Sequence, residues 1–167
     1  MESLERQVQQ LEENMSHMHV TNPHISEGSV GWHIEHCLLV MISIISALKK
    51  SDINSYRWVF NWRRAWIFFT QKIPRGRVKA PKYVDPLHID PLHVTDQCVK
   101  DQCVKDSLAK VHQLLEEMKT LPSKTYFHHF IFGDLDLKDT HYFLRIHTHH
   151  HLKIMAELIN DDAKARQ

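Results

Sequence analysis

Leu4, Val8, Leu11, Met15 and Met18 recur at intervals of four and three residues, with Glu, Gln and Arg between them. That is the period of a helix with one buried face, and it predicts a first helix from Leu4 to about Ser16. A polar turn with Asn22, Pro23 and Gly28 follows, and then apolar residues fill nearly every position from Val30 to Leu48, interrupted by Glu35 and a few small or His residues. A helix apolar on all sides has to be enclosed by others, so residues 29–50 are expected at the centre of the core. Trp58, Trp62, Trp66 and Phe69 fall on one side of a third, aromatic helix that ends before Pro74. Val104, Leu108, Val111, Leu115 and Met118 mark another, opened by Thr95 or Asp96 and stopped before Pro122. The last connection, 125–134, reads as a loop, after which Asp136, with Asp139 three residues on, caps a final helix from Leu137 to about Asn160.

The composition agrees with this helical reading, since 4 glycines and 6 prolines in 167 residues are too few for an all-β chain with many tight turns. The length suits one domain, 1–167, with a continuous core that needs no disulfides. Between the third and fourth helices lie two short duplications, Asp85-Pro86-Leu87-His88-Ile89 with Asp90-Pro91-Leu92-His93-Val94, then Asp96-Gln97-Cys98-Val99-Lys100 with Asp101-Gln102-Cys103-Val104-Lys105. Five residues is too short for a solenoid repeat, so the first is expected as a long proline-containing loop and the second as the start of the fourth helix. The first residues lack the basic stretch and apolar run of a secretory signal, and no segment nears ~18 uninterrupted apolar residues, so a cytoplasmic protein off the membrane is expected. Cys37, Cys98 and Cys103, an odd number without CxxC spacing, fit reduced thiols without a role.

Charge alters the picture in one region only. The net charge is +1 with histidine neutral, which gives no overall argument for nucleic acid. Residues 57–82, however, hold Arg57, Arg63, Arg64, Lys72, Arg75, Arg77, Lys79 and Lys82 and no acidic residue. Such a block attracts an anion, with Arg75 and Arg77 the candidate contacts.

The chemistry concentrates in the final helix. Among 15 histidines, His147 and His151 are the one pair four residues apart, the spacing that stacks side chains on one helix face. With Phe143, Ile154 and Leu158 they fall on or beside the stripe that should face the core, whereas His149 projects away and His150 lies on its flank. The run is no purification tag, because it interrupts an apolar pattern that continues through Met155, Leu158 and Ile159. Buried imidazoles need partners for their ring nitrogens, and two of them can meet that need by sharing a metal ion. A third ligand can come from the second helix, where His33 and His36 both qualify.

The sequence Ser29-Val30-Gly31, followed by Glu35-His36-Cys37-Leu38 and by the His147/His151 pair, resembles the DinB-like (DinB/YfiT) superfamily. These are four-helix bundles in which one histidine of the second helix and an HxxxH pair of the last bind a divalent metal. The closing stretch is similar to one branch of that superfamily, through His129-Phe130-Ile131-Phe132-Gly133-Asp134-Leu135 and His147-Thr148-His149-His150-His151-Leu152. So are Ile73-Pro74-Arg75-Gly76 and Ala80-Pro81-Lys82. The resemblance implies an all-α, DinB-like bundle with His36, His147 and His151 as ligands, His33 as second choice to His36, and His150 as an extra histidine. It also implies zinc or nickel at an open site, and the chemistry of a metal-dependent hydrolase or a thiol-dependent transferase acting on a small molecule, including an anionic thiol.

On this reading His129 and His33 are the candidate acid/base groups, and the basic block draws in the substrate. Two other readings compete with it. In one, the metal only staples the core. In the other, the basic aromatic block binds nucleic acid or a partner, which tryptophans at packing spacing argue against. An apolar stripe exposed on the aromatic helix would suit a homodimer.

Overall fold

Side chains placed one residue ahead of each helix decide where four of the helices begin. In α1 (Leu4–Glu13), α2 (Val30–Lys49), α3 (Trp62–Thr70) and α5 (Leu137–Ala165), the preceding Ser3, Ser29, Asn61 and Asp136 each accept a backbone N–H from the first turn. A computed structural model describes residues 1–75, 84–86 and 97–166, and the side chains of 97–100 lie outside that description. It is predominantly helical, with α4 (Gln97–Met118) and a two-stranded antiparallel sheet of β1 (Tyr126–His129) and β2 (Gly133–Asp136) completing the elements.

The all-helical expectation needs one correction, because the 125–134 connection is a β-hairpin. Tyr126 pairs with Asp136 and His129 with Gly133, leaving Phe130, Ile131 and Phe132 as the turn. Gly133 has a φ of 72°, a left-handed conformation that side chains with a Cβ disfavour, and so it closes the hairpin. Two further bounds move. The first helix tightens into a 3-10 turn at Asn14–His17, and the last runs on to Ala165.

α2 lies at the centre, packed against both α4 and α5, while α1 covers α5 and α4. Its β-branched residues Val40, Ile42, Ile44 and Ile45 each cost a few tenths of a kcal/mol in helix propensity. Burial outweighs this, since each enclosed apolar side chain such as Leu38 or Ile45 contributes about 1.5–3 kcal/mol. The helix is also long and apolar enough to cross a membrane, and its apolarity is accounted for by this enclosure. Its first turn sits directly on the preceding backbone: the Gly31 N–H donates to the Met18 carbonyl at 3.0 Å, and a Cβ on Gly31 would stand 3.0 Å from that oxygen. Cys37 is buried within this helix and Cys103 is exposed on α4, both as free thiols.

The aromatic helix departs furthest from its expected role. It starts at Trp62, so Trp58 precedes it, and Trp62, Trp66 and Phe69 are 66%, 60% and 85% exposed instead of packed. What anchors it is a cation. The buried Arg64 donates to the Val59 carbonyl at 2.7 Å and the Asp134 carbonyl at 3.0 Å, and stands 3.8 Å from the Asp139 carboxylate. One member of the basic block therefore ties α3 to the hairpin and to the start of α5.

Candidate metal centre

His36 reaches inward from the second turn of α2, and His147 and His151 come from the middle of α5. One ligating atom from each of these three rings lies within 4.8 Å of the others. The Nε2 atoms of His36 and His147 are 3.3 Å apart. Nitrogen ligands about 2.0–2.1 Å from a tetrahedral ion are separated by roughly 3.3–3.4 Å, so this pair already has the spacing of two ligands.

Neighbouring groups orient the rings. His36 Nδ1 lies 2.7 Å from the Val84 carbonyl and donates to it, which leaves the lone pair of Nε2 facing the cluster. Trp32, one turn earlier, stacks on the His36 ring with centroids 4.9 Å apart and planes 8° from parallel, and its Nε1–H donates to Asp85 at 3.2 Å. His151 Nδ1 is 2.8 Å from His33 Nδ1, and His33 Nε2 is 3.0 Å from the Ser26 hydroxyl, which also accepts the Gly28 N–H at 3.2 Å. One proton arrangement along this chain frees His151 Nε2 for a metal: His151 donates from Nδ1 to His33, and His33 donates from Nε2 to Ser26. His33 thus acts on the centre through His151. Replacing it with leucine is expected to weaken zinc binding about 10–100-fold, with glutamine restoring part of the loss, as read by competition with a chelator. Unchanged affinity in the leucine variant would remove His33 from the centre.

Burial holds His147 and His151 well below the usual imidazole range, with neighbouring histidines adding to the effect, and it lowers His36 against the opposing hydrogen bond that His36 donates to the Val84 carbonyl. All three rings are therefore neutral near pH 7, the form that donates a lone pair. His147 Nδ1 is buried without a hydrogen-bond partner among the described residues. Neutral imidazoles whose Nε2 atoms face each other at 3.3 Å present lone pairs to one small space, and a cation there accepts them. The residues fit a metal.

The histidines form the inner end of a cavity of about 640 Å³ walled by α2, α3, the hairpin and α5. His129 lines it as well, at the end of β1. Its Nδ1 accepts the N–H groups of Ile131 and Phe132 at 3.1 and 3.3 Å, which places its proton on Nε2. The ring stacks on Phe130 and Phe132, and burial lowers its pKa to about 4, so it is a neutral hydrogen-bond donor in the cavity wall.

The other expected site residues are placed differently. His150 is half-buried, with its ring edge-on to His151, outside the group of three. Arg75 pairs with Glu157 of α5 at 2.8 and 2.7 Å and is not part of the cavity wall, and Arg77 lies outside the described residues. The arginine that does line the cavity is Arg63, whose guanidinium lies 5.5 Å from the centre of the Trp62 ring. Trp32 was detectable as an aromatic four residues before His36, whereas the Val84 carbonyl is backbone and leaves no side-chain signal in a sequence.

No family model, no curated protein and no solved structure matches this chain.

Proposed function

We propose that the protein is a metal-dependent enzyme built as a DinB/YfiT-like four-helix bundle, in which α1, α2, α4 and α5 are the bundle and α3 an added aromatic helix. His36, His147 and His151 would hold zinc or nickel. The observation that carries this reading is the convergence of three neutral imidazoles, from helices more than a hundred positions apart in the chain, to within 4.8 Å of one another at the inner end of a cavity, with one pair already at ligand spacing. Imidazole suits either ion. Bound there, the metal would supply a Lewis acid with a vacant position, able to bring water or a thiol toward the anion near pH 7, as hydrolysis or thiol transfer requires.

The chain's own residues supply the rest. His36 is fixed by Val84 and Trp32, and His151 by His33. His129 presents Nε2–H as a donor to a polar atom of the substrate. The aromatic walls exclude water, and Arg63 at the mouth favours an anion. His147 and His151 face this cavity, which favours chemistry over a metal that only staples the core. Elemental analysis of protein purified without an affinity tag should find close to one equivalent of zinc or nickel. Protein that contains none, and takes up none on dialysis against either ion, would refute the proposal.

A further inference from the structure

We propose that the cavity binds an apolar carboxylic acid, with its chain or ring along the aromatic walls and its carboxylate at the histidine end. The inference rests on the metal reading for the position of the carboxylate, and on the walls alone for the apolar body.

The walls decide the body. Among the described residues lining the cavity, the polar side chains are Ser43, Arg63, Trp32, Trp62 and Trp66 through their indole N–H groups, and the four histidines; all other lining side chains are hydrocarbon. Trp32 has its N–H committed to Asp85, His36 and His151 have a ring nitrogen committed to Val84 and His33, and His129 has one committed to the hairpin turn. A polyhydroxylated or peptide-like substrate would bury donors and acceptors with few groups to receive them, each such mismatch costing roughly tenfold in affinity. A hydrocarbon chain or aryl ring loses nothing there. The volume, about 640 Å³, is that of a site for a single small molecule.

Charge decides the head group. No carboxylate lines the cavity among the described residues, and its one permanent cation is Arg63. Three neutral ligands leave the charge of a divalent ion uncompensated, so the inner end favours an anionic donor. The mouth decides how long the body can be. Trp62, Trp66 and Phe130 line the cavity and are also 66%, 60% and 60% exposed. The apolar path therefore runs from the histidines out onto the surface, and a chain too long for the cavity can lie along that rim.

The test is a titration of zinc-loaded and metal-free protein with hexanoate, octanoate and decanoate, alongside decanol and glutathione, followed by quenching of tryptophan emission. Saturable binding of one equivalent is expected, tightening about fourfold per added methylene. Decanoate should exceed decanol by at least about tenfold in the zinc-loaded protein, less without metal, and glutathione should bind far more weakly than decanoate. Ser43→Trp, which fills the cavity, should weaken decanoate at least about tenfold at an unchanged melting temperature. If that variant does not fold, Trp66→Ala at the exposed rim should reduce the gain from octanoate to decanoate. Affinity independent of chain length, or glutathione binding as tightly as decanoate, would overturn the inference while leaving a zinc-loaded centre intact. A chain-length gradient without preference for decanoate over decanol, in protein that takes up no zinc, would instead overturn the metal reading and with it the carboxylate's position.

Discussion

Replacing His147 and His151 together by alanine is expected to abolish stoichiometric metal binding. Two of the three ligands disappear, and a single imidazole from α2 holds zinc no better than a surface histidine does. The loss should also be visible in stability. An ion that binds only the folded chain stabilises it by about 4 kcal/mol at a free concentration a thousand times the dissociation constant. For a chain of this length that is on the order of 10 °C in Tm. Zinc should therefore raise the melting temperature of the parent protein by about that much and leave the double variant unmoved. The control is His149→Ala, a half-buried neighbour on the same helix outside the triad, which should keep both metal and Tm shift. A double variant that still carries one equivalent of zinc, or still melts higher in its presence, would show that the metal sits elsewhere.

Much of this centre was legible in the sequence, and the rest was hidden for identifiable reasons. His147 and His151 stand out because a four-residue interval on a helix is a statement about space. His33 and His36 could not be separated by spacing, since both face the core side of α2. Only the fold shows that His36 meets the cluster with Nε2 while His33 meets the outer nitrogen of His151. The helix starts were readable because their capping side chains are local, as at Ser29 and Asp136. The hairpin was not, because Tyr126–His129 lacks the alternation of polar and apolar residues that marks a strand. Nor did the spacing of Trp62, Trp66 and Phe69 reveal that all three are exposed and that Trp62 and Trp66 line the mouth of a cavity. Periodicity identifies a common face but not whether anything covers it. The first duplication falls mostly outside the described residues, as do both residues offered as the fourth helix's cap.

The same burial that keeps the histidines neutral should make the metal-free fold sensitive to acid. His33 and His129 have folded pKa values lowered from 6.5 to about 4, first by burial and then by nearby histidines. His36, His147 and His151 are lowered in the same direction. In the unfolded chain each imidazole takes up its proton near pH 6.5, so between that value and about 4 the unfolded state binds more protons than the folded one. Stability from these groups is therefore complete above about pH 6.5 and declines as the pH falls, each contributing up to about 1.4 kcal/mol per pH unit within its window. Asp139 opposes the trend, because burial raises its carboxyl and favours the folded state in acid, but it is one group against several. Urea midpoints of metal-free protein should fall steadily from about pH 7 to about pH 4.5. Substituting His129 with phenylalanine, which keeps the stack between Phe130 and Phe132, should make that decline shallower by one titrating group. Midpoints that stay level across this range would mean the rings are reached by water and titrate near the ordinary 6.5 in the folded chain, and the burial argument for their neutrality would fail.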